Sequence, residues 1–297
     1  MVGIVAEYNP FHNGHIRQIN WVKQNFPGEK IIVVMSDKFS QRGEFTIASF
    51  FSRKRIAKKY GVNKVIKLSF DETVQAAHIF AYHAVMKLHQ AGVNKIVFGS
   101  ESDDVKQMLY LAQFLNKNSD DFNKTIRKYI KKEKMAYPKA FSLALSELSG
   151  SSYDLPNDIL GFEYVKTIVN NNLDIQIYSI KRNIEFHSEQ TYENYASASL
   201  LRKKIKNNED ISKYTPMRIK KGRFIEKTYF KFKKILLSTP LEKIKRIKLV
   251  SEGIENLFLK NIHHTNYDDF IQACVSKRYT ASRIKRIYAW ILCKKWK

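Results

Sequence analysis

The chain has 297 residues and a mass of 34.8 kDa, with 44% hydrophobic and 13% aromatic residues, enough apolar material for a packed core and too much for wholesale disorder. No apolar run approaches the roughly 18 residues of a membrane span, no basic stretch followed by an apolar one opens the chain as a secretory leader would, and the only cysteines are Cys274 and Cys293, which excludes a disulfide framework or a Cys-rich zinc site and fits a reducing cytoplasm. Lys and Arg number 52 against 28 Asp and Glu, and the formal charge of +24 points to a polyanionic partner, nucleic acid first.

Short, mostly β-branched apolar runs predict strands at Val2–Ala6, Ile31–Met35, Val65–Leu68, Lys95–Phe98 and Ile175–Ile180. Helical patterns lie between them at His15–Asn25, Ser49–Tyr60 and Gln75–Gln90, the last with a stripe of Ala77, Phe80, Ala81, Ala84, Val85 and Leu88. Residues 103–150 read as helical throughout, an insertion or a cover over the sheet, and Asn157–Asn170 is a further helix preceded by Pro156. This alternation predicts an α/β fold, a Rossmann-like doubly wound parallel sheet with a helical insertion. After Ile180 the pattern is mostly helical and basic to the end. Length suggests one or two domains, and charge places the division: residues 1–190 carry 26 basic and 19 acidic side chains, a net of +7, whereas residues 191–297 carry 26 and 9, a net of +17. Tyr192, Tyr195, Tyr214, Phe224, Tyr229, Phe230 and Phe232 are interleaved with this second, more basic part, and flat rings beside cations suit unpaired bases and phosphate backbone together.

The strongest chemical signal is Glu7-Tyr8-Asn9-Pro10-Phe11-His12-Asn13-Gly14-His15, directly after the first strand. Ligands of open α/β sheets bind beyond the carboxyl ends of the strands, and a helix N-terminus there offers free N–H groups and a positive dipole end to phosphate. Gly14 is expected to let the backbone approach a nucleotide closely. His12 and His15 are expected to donate hydrogen bonds to phosphate oxygens as negative charge builds on them. Ser197-Ala198-Ser199-Leu200-Leu201-Arg202 opens a later helix, and a Ser cap with an Arg one turn on makes the other half of a triphosphate clamp. Arg42, in Gln41-Arg42-Gly43-Glu44 after the second strand, has three candidate ligands, acetate, phosphate or RNA, and the sequence does not choose among them. No metal ligand set is expected: His263-His264 with Asp268 and Asp269 match no zinc spacing, and His78 and His83, five apart, do not share a helix face.

Together with Val34-Met35-Ser36, Phe98-Gly99-Ser100-Glu101, Pro156-Asn157-Asp158-Ile159-Leu160-Gly161, Ala196-Ser197-Ala198-Ser199 and Lys277-Arg278-Tyr279-Thr280 with Arg283, these blocks run in order from Val2 to Arg283 and resemble the tRNA(Met) cytidine acetate ligase family, within the nucleotidyltransferase superfamily marked by His-x-Gly-His. The resemblance implies a ligase that joins acetate to the α-phosphate of ATP and passes the acetyl group to the wobble cytidine of elongator tRNA(Met), giving N4-acetylcytidine without acetyl-CoA. It implies an ATP site lined by Val5, Ala6, Glu7, Tyr8, Asn9, Pro10, Phe11, His12, Asn13, Gly14, His15, Ile16, Arg17 and Gln18, with Gly99, Asn157 and Arg182. His12, His15, Ser199 and Arg202 would carry the phosphate chemistry, with Mg²⁺ accompanying ATP, held mainly by phosphates and water. Residues 1–190 would be the ATP-binding catalytic domain. Residues 191–297 would bind tRNA and lend Ser199 and Arg202 to the ATP site, with Lys203, Lys204, Lys220, Lys221, Arg223, Lys277, Arg278 and Arg283 as expected RNA contacts. Acetate and tRNA(Met) are the expected partners, with no membrane and no identifiable protein partner. Asp37 stands where the family usually has Gly, and Phe45 where it usually has Pro, so that loop is expected to differ in shape. Two other readings are a small-molecule adenylyltransferase of the same superfamily, disfavoured by the +17 region, and a non-catalytic RNA-binding protein, disfavoured by the intact His12, Gly14, His15, Ser199 and Arg202.

Overall fold

A computed structural model describes residues 1–150, 158–183, 189–219 and 221–296. Five strands, β1 (Val2–Ala6), β2 (Ile31–Ser36), β3 (Lys64–Leu68), β4 (Lys95–Ser100) and β5 (Gln176–Lys181), form one sheet in the order β3-β2-β1-β4-β5. Every pairing is parallel. The order reverses between β1 and β4, the switch point where doubly wound sheets bind ligands. The interior strand β2 (Ile-Ile-Val-Val-Met-Ser) is buried along its whole length because helices cover both faces. Edge strand β3 turns Lys64 and Lys67 outward, which blocks pairing with another chain.

One face of the sheet carries α1 (Asn13–Asn25) and α2 (Phe50–Lys59), which close a core around Ile4, Ile19, Val22, Val33 and Ala57. The other carries α4 (Ala77–Gln90), preceded by the short α3 (Phe70–Thr73), together with α5 (Val105–Lys117), α6 (Ser119–Lys131), α7 (Tyr137–Ser149) and α8 (Ile159–Asn170). The expected stripe on α4 is buried from Phe80 to Leu88. Its helix begins later than the pattern suggests, because Ser69 and Glu72 cap the separate turn α3 and the chain breaks at Val74, whose carbonyl accepts the Trp290 indole N–H at 2.9 Å.

The C-terminal part is helical: α9 (Ala198–Lys206), a 3₁₀ turn at Ile225–Thr228, α10 (Tyr229–Ser238), α11 (Leu241–Lys245), α12 (Ile254–Asn261), α13 (Tyr267–Cys274) and α14 (Ala281–Leu292). Phe39 and Val74, from loops of the sheet, are part of its core, so this bundle is seated on the β2 side of the sheet. Two of the aromatics expected to face RNA are corrected here. Tyr229 and Phe232 are core residues, 5% and 0% exposed, because a spacing of three on α10 puts both on the packed face. Phe230, between them, is 71% exposed with Lys234 over its ring at 4.7 Å, and Tyr192 is 58% exposed. No helix among the described residues is long and apolar enough to cross a membrane.

Candidate active site

The loop between β1 and α1 sits at the carboxyl end of the central strands, and two histidines close it. His12 is the N-cap of α1, and its Nδ1 accepts the Gly14 N–H at 3.1 Å. His15, one turn on, returns the contact: its Nδ1 accepts the His12 N–H at 3.1 Å. This is a capping box built from imidazoles. Each ring therefore spends Nδ1 as an acceptor, which places the proton of the neutral ring on Nε2. The rings lie 3.8 Å apart between centroids, and His15 also packs on Phe11 and Tyr8. Burial pushes the His12 pKa down to about 4, with Arg182 and Arg202 adding to the effect. Burial, then His12 and Arg182, push His15 well below the ordinary value. Both are neutral at pH 7 and present one Nε2–H donor each.

The role expected of Gly14 changes in detail. A Cβ there would stand 2.9 Å from Cε1 and 3.0 Å from Nδ1 of His12, so the glycine makes room for the histidine ring that caps its own N–H. Tyr8 holds a positive φ of 48° just upstream, a backbone state rare for a bulky residue and concentrated at functional sites.

Side chains from far along the chain fix this loop. The Arg202 guanidinium donates to the Asn9 carbonyl at 2.9 Å, which brings α9 to the histidines. Asn13 donates to the carbonyls of Asn194 and Lys213 at 2.7 and 3.0 Å, and Thr215 donates to the Phe11 carbonyl at 2.5 Å. Ser197 is the N-cap of α9 and accepts the Leu200 N–H at 3.1 Å, with the Ser199 hydroxyl 3.0 Å away. Val5 and Ala6 end β1, Ile16 lies in the first turns of α1, and Pro10 is buried in the loop. Arg17 and Gln18 reach back to the carbonyls of Lys181 and Val97 at 2.8 and 3.0 Å, tying α1 to β5 and β4.

On the β4 side, Arg182 follows β5 and donates to the Gly99 carbonyl at 3.2 Å. A Cβ on Gly99 would stand 3.2 Å from Nε of Arg182, so the glycine admits the guanidinium. Asn157 lies outside the described residues, but its neighbour Asp158 is a positioning group that sequence reading missed. It is buried and accepts from the backbone N–H groups of Glu101 and Ser102 and the hydroxyls of Ser100 and Ser102, at 2.7 to 2.9 Å. These bonds outweigh burial and hold its carboxyl below the usual range. Its sequence signals were its place just before a helix and within the Pro156–Gly161 block, neither of which named its role.

On the β2 side, Glu7 accepts the Gln41 N–H at 2.6 Å, and burial raises its pKa against that bond and against Arg202 and Arg42. Arg53 of α2, 0% exposed, was also missed. It donates to the carbonyls of Glu7 at 2.5 Å, Ala48 at 3.3 Å and Asp37, joining the loops after β1 and β2. Nothing in its basic sequence surroundings marks it as buried. The two departures sit here: Asp37 offers its carbonyl to Arg53, and Phe45 packs on Phe39 at 4.9 Å.

The expected RNA contacts divide. Lys203 and Lys204 lie on α9 and pair with Glu189 at 3.0 Å and Glu209 at 2.6 Å. Lys221 and Lys277 are exposed, and Lys220 lies outside the described residues. Arg223 is engaged by the Thr46 and Ala48 carbonyls at 3.1 and 3.2 Å, holding the same loop as Arg53. Arg278 and Arg283 share Glu252 at 3.0 and 3.2 Å. Among the described residues, no group of three or more His, Cys, Asp or Glu is placed to hold a metal ion.

The depressed His12 pKa has a measurable consequence. Between pH 6.5 and about 4 the unfolded chain takes up a proton that the folded His12 refuses, so stability falls as pH drops through that window. Against His12→Gln, the wild type is expected to lose about 2–3 kcal/mol of unfolding free energy between pH 7 and pH 4. The raised Glu7 pKa acts in the opposite sense, but it is common to both proteins and cancels in the difference. Urea unfolding at four pH values checks this; parallel curves would refute it.

A parallel sheet with a His-x-Gly-His loop at the end of its first strand, and an arginine of a late helix reaching into it, defines a nucleotidyltransferase. A family model described as HIGH Nucleotidyl Transferase matches residues 1–297. The tRNA(Met) cytidine acetate ligase of Mycoplasmopsis synoviae is 54% identical over 99% of this chain and 96% of its own length, and that of Anoxybacillus flavithermus 34% identical over 98% and 77%. The chain belongs to the tRNA(Met) cytidine acetate ligase family. Among solved structures, apo Thermotoga maritima TmcAL superposes with a TM-score of 0.90 at 28% identity, covering 99% of this chain and 75% of that one. The same protein bound with alpha-thio ATP gives 0.86 over 98% and 74%.

Proposed function

We propose that the protein is an ATP-dependent ligase that forms N4-acetylcytidine at the wobble position of elongator tRNA(Met) through an acetyl-adenylate, in the cytoplasm. The observation that carries this reading is the pair of neutral, backbone-locked imidazoles flanked by Arg202 and Arg182. A carboxylate oxygen of acetate attacks the α-phosphorus of ATP; the Pα–O–Pβ bond breaks and its electron pair leaves with pyrophosphate. His12 and His15 supply fixed Nε2–H donors to the oxygens on which charge builds, and Arg202 with Ser199 holds the leaving phosphates. Mg²⁺ would ride on the polyphosphate, with water as its remaining ligands. In the second step the cytidine N4 attacks the acetyl carbon, a C–N bond forms, AMP leaves with the C–O electron pair, and N4 gives up a proton to solvent. Acetyl-CoA has no part in either step.

Residues 1–190 form the ATP-using catalytic domain and residues 191–297 the tRNA-binding region in this reading, with Lys203, Lys204, Lys220, Lys221, Arg223, Lys277, Arg278 and Arg283 along the RNA path. Incubation with ATP, labelled acetate and tRNA tests the whole of it. Label in cytidine of tRNA(Met), with acetate-dependent pyrophosphate exchange in the absence of tRNA, is expected. Absence of both overturns the ligase reading. Replacing Lys220 and Lys221 with glutamine is expected to lower the slope of log affinity for tRNA against log salt by roughly 1 to 2, measured by filter binding between about 50 and 200 mM salt, with exchange unchanged.

A further inference from the structure

We propose that Arg286, with Arg42 beside it, is the carboxylate site for acetate; this rests on the acetate-ligase reading above. The neighbouring cations of α14 are spoken for: Lys285 is paired with Glu44 at 2.6 Å, and Arg283 with Glu252 at 3.2 Å and Ser251 at 2.8 Å. Arg286 is half-buried against the Gln41–Glu44 loop and has neither a hydrogen bond nor an ion pair among the described residues. Burial pushes its pKa down to about 10, and Arg283 and Arg42 push the same way, so the cations around it supply no compensating charge. A guanidinium in that position is a site for an anion.

Topology places that anion beside the reacting phosphate. Gly43 takes a φ of +86°, and a Cβ on it would stand 2.6 Å from the Lys285 carbonyl and 2.9 Å from Cα of Arg286. The loop therefore docks directly on α14 and fixes Arg42 next to Arg286. The preceding residue, Gln41, gives its N–H to Glu7 at the end of β1. In the sheet order β3-β2-β1-β4-β5, Arg182 and Gly99 stand on the β4 flank of β1 and Arg42 on the β2 flank. The histidines lie between, at the end of β1 itself. A nucleotide on the β4 flank presents its α-phosphate near the imidazoles, and a small nucleophile enters from the other flank.

Acetate fits better than an RNA phosphate. The RNA backbone is met by exposed, mobile lysines, which this protein has in number, whereas a walled, planar fork matches a carboxylate bidentately. Holding acetate by a cation also offsets its repulsion from the triphosphate as the new O–P bond forms. No proton is required for that step, and none of the groups at this site needs to act as a base.

Arg286→Gln is expected to raise the acetate KM in acetate-dependent ATP–pyrophosphate exchange by at least about tenfold. The ATP KM and the tRNA Kd should stay within about twofold, with Arg286→Lys intermediate because it keeps the charge and loses the fork. An unchanged acetate KM overturns the proposal, as does a weakened tRNA Kd with the acetate KM intact, which would make Arg286 an RNA contact. Should Arg286→Gln fail to fold, as judged by its melting curve, Arg286→Lys and Arg42→Gln carry the same KM test. Wild-type protein lacking any acetate-dependent exchange would instead bring down the ligase reading itself, before any variant is compared.

Discussion

Replacing His15 with asparagine is expected to lower acetate-dependent pyrophosphate exchange by about 100- to 1,000-fold while tRNA affinity stays within about twofold. The His15 ring has two separable jobs. Its Nδ1 accepts the His12 N–H at the start of α1, and its Nε2–H is free for the reacting phosphate. Asparagine keeps an acceptor within reach of the His12 amide and loses the distal donor, so the helix cap survives and the chemistry does not. Alanine removes both, and His15→Ala should lose exchange to the same extent and also melt at a lower temperature, the cap itself amounting to about 1 kcal/mol. Single-turnover formation of acetyl-adenylate separates these outcomes. If tRNA binding fell in step with exchange, or if the asparagine variant kept most of its activity, the phosphate-donor role of His15 would be wrong.

The largest stability loss is expected from Arg53. Its side chain is wholly enclosed, its pKa is pushed down to about 10 chiefly by burial, and it serves carbonyls from two different loops. Arg53→Leu strips the Glu7 carbonyl of its Arg53 donor, leaves the Asp37 and Ala48 carbonyls only their weaker bonds from Thr46 and Arg223, and is expected to lower the unfolding free energy by roughly 3–5 kcal/mol. Arg53→Lys should recover only part of this, since one ammonium on a flexible stem cannot reach the carbonyls that a planar fork spans. Urea titration of the three proteins measures both numbers. A midpoint for Arg53→Leu within experimental error of wild type would show that solvent or the neighbouring Arg223 replaces it.

The strands and the helices packed on them were legible because burial on two faces leaves short, continuous runs such as Ile31–Met35, and a one-faced helix leaves the stripe from Phe80 to Leu88. His12, His15 and Arg202 were legible because a helix start after the first strand is a place where few residue types serve. What stayed hidden has a common character. Arg53 and Asp158 act through backbone groups that come near only when the chain is folded, and a basic run or an Asp before a helix looks the same with or without such partners. Tyr229 and Phe232 were misread for a related reason: in a stretch crowded with lysines, a three-residue spacing of rings is both a stacking platform and a core stripe, and only the opposing Phe270 and Tyr288 decide between them. Gly14 stands in the first turn of α1, and its missing side chain accommodates an imidazole of the same loop, a partner the sequence did not reveal.

The seating of Gly43 against the backbone of α14 limits how this enzyme can be recombined. A chimera that joins this sheet to the C-terminal helices of another protein meets the fault line where Gly43 touches the Lys285 carbonyl, and where Glu44 reaches for Lys285. Cutting at the charge boundary near residue 190 would separate two surfaces that were fitted to one another, and would take Asn194, Lys213 and Thr215 away from the histidine loop as well. The transferable unit is therefore the loop together with the helices that grip it.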